Sequence, residues 1–208
     1  MMAHLASRTH RFAGDEDGAT LVEFAIVLAI FMFIFFGLID FARLGFSNVL
    51  AEKATEKAVR MAVVRPAICD DVPVVNQRGL VGVLSLDLPN GTPCSARQGL
   101  CVSPSVTTCT GTLDNPTVAT IWGQVQPLLP VNTRPENLAF SYSYDANLNR
   151  VGAAYTPIVT VALADLQFDF ISPLGALARL SGAQNADELG ASFLFPSMSA
   201  SLPAEDLR

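Results

Sequence analysis

The segment that most constrains this chain is an apolar stretch from Ala19 to Ile39, in which Glu23 is the only charged residue. At 1.5 Å per residue, a helix of this length extends roughly 30 Å, about the hydrocarbon thickness of a bilayer. Residues 31–36 would make such a helix apolar on every side, which disfavours packing on the surface of a soluble domain. The sequence therefore predicts a transmembrane helix over residues 19–39.

A cleaved secretory signal peptide is the main alternative for this segment. The apolar stretch is longer than a usual signal-peptide core, and no small-x-small cleavage site follows it in residues 38–43. We therefore expect the helix to remain in the protein as an anchor.

The sequence on either side of the span divides the chain into four parts. Residues 1–18 are polar and have no apolar core, which predicts a leader or a disordered tail. Residues 40–65 contain no proline and are rich in Ala, Glu, Lys and Arg, which predicts that the helix continues to Arg65. All 13 prolines lie at or after Pro66, so residues 66–208 are predicted to form an exported domain.

The predicted fold class is α+β: a long N-terminal helix, its first half transmembrane, is followed by a small disulfide-containing exported domain with an antiparallel sheet. Alternating apolar residues indicate a strand at 138–144 and a second at 156–171, with a weaker edge strand at 191–202. Residues 117–129 are expected to form a short helix in which Trp122 is a packing residue.

All four cysteines lie in residues 66–116, which are rich in Pro, Gly and Thr and predict short strands and loops. These candidate disulfide residues are Cys69, Cys94, Cys101 and Cys109. An even set in an exported segment predicts two disulfides, with three possible connectivities, and buried free thiols are the alternative. No C-x-x-C is present and both histidines precede the span, so we expect no zinc site.

The composition gives no indication of nucleic-acid binding or catalysis. The net charge is −6, and no run of Lys and Arg is present that could neutralise phosphates. The common hydrolase, nucleotide-binding and zincin motifs are absent. Asp165 and Asp169 are interpreted as a solvated strand face rather than a catalytic or metal-binding pair. We therefore expect no enzymatic activity, no cofactor and no metal.

The residues at the start of the span form an unusual combination. Gly18 ends the polar leader, and Glu23 follows inside the apolar stretch. A charge at the centre of a membrane helix costs about 2.5 kcal/mol or more, which suggests a function for this carboxylate. Because Glu23 lies near the end of the span, it could also simply reach the headgroup region.

Together, Gly18, Ala19, Glu23 and Phe24 resemble the class III signal sequence of type IV pilins and pseudopilins. More narrowly, residues 18–43 resemble the TadE-like family, whose members are minor pilins or pseudopilins of the tight-adherence (Flp) pilus. The resemblance covers about residues 14–65. It implies that a prepilin peptidase recognises Glu23 and Phe24 and cleaves between Gly18 and Ala19. It also implies that Glu23 pairs with the freed Ala19 ammonium of a neighbouring subunit during assembly.

This resemblance also implies a location and a set of partners. The protein would be a single-pass protein of the bacterial inner membrane, with its C-terminal domain in the periplasm or outside the cell. Expected partners are the prepilin peptidase, other pilins or pseudopilins, inner-membrane pilus assembly proteins and lipid, with no nucleic acid. Counting flanking Lys and Arg residues points weakly to the opposite orientation. The alternative function is a bitopic envelope protein whose exported domain is a binding module unrelated to pili.

Overall fold

The computed structural model describes residues 17–84, 88–170 and 193–207. The predicted leader therefore lies outside the described residues, except for its last two positions. The chain divides into two compact units, one from residues 1–43 and 170–191 and the other from residues 44–169 and 192–208. In chain order the helices and strands are α1 (Asp17–Ala62), α2 (Leu80–Leu84), β1 (Thr107–Thr110), α3 (Pro116–Val125), β2 (Leu138–Ser143), β3 (Ile158–Leu163), β4 (Gln167–Phe168), β5 (Phe193–Leu194) and β6 (Met198–Pro203).

The part of α1 that belongs to the second unit is amphipathic. Its buried residues recur at intervals of three and four and are mostly alanine: Ala51, Ala54, Thr55, Ala58, Val59 and Ala62. Charged residues occupy the opposite side, as expected for a helix with one face against a core. The Lys57 ammonium donates to the backbone oxygen (3.2 Å) and the side-chain oxygen (3.0 Å) of Gln124, which connects this part of α1 to α3.

The C-terminus of α1 lies at Ala62, three residues before the predicted boundary at Arg65. The carbonyl oxygen of Val63 accepts hydrogen bonds from the backbone amides of Glu205 (2.9 Å) and Asp206 (3.0 Å). The Val63 carbonyl therefore accepts from amides that are distant in sequence, instead of from an amide of a further helical turn. The prediction from Pro66 was close, but the exact end depends on residues that are distant in sequence.

The main sheet has four strands in the order β1-β2-β3-β6, and every neighbouring pair is antiparallel. β2 and β3 are the central strands, and each buries alternate residues. Phe140 and Val161 are directly opposite each other and fully buried. The predicted antiparallel pair and the α+β class are confirmed. The edge strand predicted over residues 191–202 is confirmed only in its second half, as β6, because β5 belongs to a different sheet and residues 191–192 lie outside the described residues.

The prediction of one strand over residues 156–171 was wrong. β3 ends at Leu163, and β4 pairs with β5 in a separate two-stranded sheet. Asp165, between them, has φ +56°, a left-handed conformation that interrupts an extended strand. Asp165 therefore does not share a strand face with Asp169, whose carboxylate instead accepts a hydrogen bond from the side chain of Asn132.

The predicted short helix is confirmed as α3, followed by a 3-10 turn at Gln126–Leu128. Its N-cap is Asn115, whose side-chain oxygen accepts from the amides of Thr117 (2.9 Å) and Val118 (3.3 Å), and Pro116 follows at the first helical position. Trp122 is 8% exposed, in agreement with its predicted packing role.

Two buried polar groups hold the loops onto this core. The hydroxyl of Tyr142, a residue that is 1% exposed, accepts a hydrogen bond from the Ile68 amide at 3.0 Å, and burial raises the pKa of this phenol. Asn149 is fully buried and forms three hydrogen bonds through its side chain, two to Thr156 and one to the Asp145 carbonyl. Both groups are satisfied, as buried polar groups usually are.

Candidate functional site

The N-terminal part of α1 exposes apolar side chains on all of its sides. Phe24, Ile26 and Val27 are 66%, 57% and 64% exposed, although they point in different directions around the helix. α1 is the one described helix long and apolar enough to cross a membrane. Water is a poor solvent for such a surface, so it requires lipid or other apolar helices around it.

Aromatic side chains pack along this surface within the helix itself. The rings of Phe31 and Phe35, one turn apart, are stacked with centroids 5.9 Å apart. Phe35 and Phe36 meet edge to face at 6.0 Å. These contacts leave the outer faces of the rings available to lipid chains or to a neighbouring helix.

The residues at the predicted processing site lie at the start of α1. Gly18 and Ala19 are in its first turn, where the backbone amides have no partner within the helix. Glu23 follows Ala19 by four residues, about one helical turn, and the side chain of Glu23 is exposed. No described residue forms a salt bridge with Glu23.

A second carboxylate marks the other end of the apolar segment. Asp40 is 2% exposed and accepts a 3.1 Å hydrogen bond from the guanidinium of Arg43. Asp40 follows Glu23 by 17 positions, which corresponds to roughly 25 Å along the helix. The distance between the two carboxylates is therefore most of the thickness of the hydrocarbon layer of a bilayer. The pairing of Asp40 with Arg43 was not predicted from the sequence, although their i,i+3 spacing is a usable signal.

All four predicted cysteines form disulfides, and the structure selects one of the three connectivities. Cys69 pairs with Cys109, which joins the segment after α1 to β1, with Cα atoms 5.7 Å apart. Cys94 pairs with Cys101 within one short loop, at 5.4 Å. The first disulfide therefore connects distant parts of the sequence, whereas the second is local.

The concave surfaces of the C-terminal domain are small or shallow. One, about 90 Å³ in volume, lies beside Tyr155 between Pro73 and Pro104, well below the usual size of a ligand pocket. Tyr155 stacks on Tyr144 at 6.4 Å, and burial raises the pKa of both phenols. Another, about 510 Å³, is an open polar groove lined by Arg134, Asp165 and other loop residues. Within the described parts of the chain, no three His, Cys, Asp or Glu side chains cluster as metal ligands.

Comparison with known proteins gives one finding. Residues 18–60 match the family model described as TadE-like protein. The match begins at the predicted processing glycine and covers nearly all of α1, which confirms the resemblance over this segment. No curated protein and no solved structure matches the chain.

Proposed function

We propose, on the premise that the N-terminal segment is TadE-like, that this protein is a minor pilin or pseudopilin that acts in assembly of a tight-adherence pilus. The observation that carries the proposal is the placement of Gly18, Ala19 and Glu23 at the start of an exposed apolar helix within the matched segment. A prepilin peptidase removes residues 1–18 and leaves Ala19 as the new N-terminus. The mature chain stays in the inner membrane through α1 and is not an enzyme.

The local backbone supports cleavage at this position. A peptidase needs an extended strand at the bond it cuts, and Gly18 has no side chain to obstruct its approach. Because the first-turn amides of a helix have no intrahelical partners, unwinding this turn costs less than unwinding the helix interior. Cleavage after Gly18 then creates an ammonium four residues before Glu23.

The charges at this end of the helix support an assembly role. Neither an ammonium nor a carboxylate is stable alone in an apolar environment, whereas a close pair of them is tolerated. Glu23 of one subunit therefore binds the Ala19 ammonium of a neighbour and fixes the axial register of the two helices. Partners of this kind are other pilins or pseudopilins and inner-membrane assembly proteins.

The two disulfides support an exported location for the C-terminal domain. Disulfides persist in oxidising compartments and are rare in the cytosol. The domain is therefore placed in the periplasm or outside the cell, with residues 1–18 initially in the cytoplasm.

Replacing Gly18 by leucine is expected to abolish processing in cells with an active prepilin peptidase, because the side chain obstructs the scissile bond. An immunoblot against a C-terminal tag should show the shortened chain for the wild type and full-length chain for Gly18→Leu. Gly37→Leu is the matched control, since a Cβ at Gly37 meets nothing within 4 Å. A shortened Gly18→Leu product, or equal retention of the leader in both variants, would contradict the proposal.

A further inference from the structure

The two outer strands of the main sheet, β1 and β6, carry no charged residue. β1 has the sequence Thr-Thr-Cys-Thr and β6 has the sequence Met-Ser-Ala-Ser-Leu-Pro. Edge strands of soluble proteins are usually protected against further pairing by lysine, proline or a bulge. Here the only such residue is Pro203, at the end of β6. Both edges are therefore chemically suited to accept another strand.

The hydrogen-bond pattern identifies the outward-directed amides of β1. The Gly111 amide donates to the Leu138 carbonyl at 2.7 Å, in line with the register of β1 on β2. Hydrogen-bonded positions alternate along an antiparallel strand. The amides of Thr108 and Thr110 are therefore directed away from β2, towards the open edge.

The same reasoning applies to β6. The Ala204 amide donates to the Pro157 carbonyl at 2.8 Å, in register with the pairing of β6 on β3. The amides of Ser199 and Ser201 are therefore directed away from β3. Pro203, which has no amide hydrogen, occupies the next outward position, where its missing donor costs the sheet nothing. Within the described residues, no backbone bond outside the sheet reaches Thr108, Thr110, Ser199 or Ser201.

The two edges are complementary in direction and in face. Three antiparallel pairings separate β1 from β6, so the two strands run in opposite directions. On both edges, the residues with outward amides also have exposed side chains. Directly opposite residues of neighbouring strands share a face of the sheet, and their amides alternate in direction from one strand to the next. In a four-stranded sheet, the outward amides of both edges therefore belong to residues on the same face. One sheet can then continue into another with the buried faces on the same side.

We propose that β1 of one copy of this chain adds to β6 of a second copy, with Thr108 opposite Ser201 and Thr110 opposite Ser199. Each of these two pairs exchanges two backbone hydrogen bonds, so the contact has four in total. The inference depends on the sheet and does not require processing at Gly18 or a pilus.

The surroundings of β6 leave room for the added strand. An open groove of about 400 Å³ lies between β6 and α1, lined by Asn48, Glu52, Glu56 and the segment from Pro196 to Ala200. In this register the first residue of β1, Thr107, lies opposite Leu202, so Pro203 lies outside the pairing. A symmetric β6-β6 contact would instead place a proline of each copy within the ladder, which makes it the weaker alternative.

Cysteine cross-linking between two full-length single variants tests this register. Thr110→Cys and Ser199→Cys, co-expressed and treated in membranes with a mild oxidant, should form a disulfide-linked dimer on a non-reducing gel. Directly opposite hydrogen-bonded residues have Cα atoms about 5.5 Å apart, within the range for a disulfide. Thr110→Cys with Ser201→Cys is the matched control, because this diagonal pair is about 7–8 Å apart. We expect at least about tenfold less dimer from the control.

Three results would overturn the proposal. These are no dimer from the opposed pair, equal dimer from both pairs, and dimer formation by a single variant expressed alone. The last result would indicate a symmetric contact between identical edges. If one cysteine variant does not accumulate, Thr108→Cys with Ser201→Cys tests the same register, with Thr108→Cys and Ser199→Cys as its diagonal control.

Discussion

Replacing Cys69 and Cys109 together by alanine is expected to lower the free energy of unfolding of the C-terminal domain by about 4 kcal/mol. This disulfide spans a sequence separation of 40 residues and joins the segment after α1 to an edge strand of the main sheet. Without it, the unfolded chain regains the freedom of that long loop. The change can be measured by denaturant unfolding of the full-length protein in detergent. Trp122, the single tryptophan, is buried and serves as the fluorescent probe.

The second disulfide provides the matched control for this measurement. Cys94 and Cys101 are separated by only seven residues, so the same double change to alanine should cost about 2 kcal/mol. The cysteines of this pair lie in a smaller cluster with Leu100 and Val151, apart from the strands of the main sheet. If the short-loop variant lost as much stability as the long-loop variant, or more, the loop-length explanation would be wrong.

Glu23→Gln is expected to abolish or strongly reduce piliation while leaving membrane insertion and removal of residues 1–18 intact. The glutamine side chain fits the same space but cannot neutralise the Ala19 ammonium of a neighbouring subunit. Removing one partner of a buried ion pair typically costs about 3–5 kcal/mol, because the remaining charge is left uncompensated. Counting pili by electron microscopy, alongside immunoblots of the membrane fraction, separates assembly from insertion.

A suitable control for this variant is Glu136→Gln, the same chemical change at an exposed position of the C-terminal domain. Glu136 lies outside the apolar segment, where water can solvate its charge, so its loss should leave piliation unchanged. Normal piliation in the Glu23→Gln strain would remove the role assigned to this carboxylate. An equal loss in both variants would indicate a general effect of removing a negative charge.

The long helix and the central sheet could be predicted from sequence because their signals are local. The apolar stretch from Ala19 to Ile39 and the alternation in β2 depend only on neighbouring residues. The split between β3 and β4 was missed because apolar residues continue on both sides of it. Leu166 and Phe168, which alternate as in a single half-buried strand, are also buried in the observed fold. Only Asp165, a residue type that tolerates left-handed backbone, indicated a turn at this point.

The features that escaped prediction depend on residues that are distant in sequence. β1 has only four residues and no clear alternation, so its strand character comes from pairing with β2. The disulfide connectivity likewise depends on how the fold places Cys69 beside Cys109. The family match over residues 18–60 was predictable because its residues are contiguous. The complementary edges of the sheet became visible only once the strand order was known.

The proposed function depends on cleavage of this chain after Gly18 by a prepilin peptidase. The decisive experiment is N-terminal sequencing of the protein purified from membranes of cells with an active prepilin peptidase. We expect a first residue of Ala19, with Glu23 as the fifth residue of the mature chain. A mature protein that begins at Met1 in those cells would contradict it.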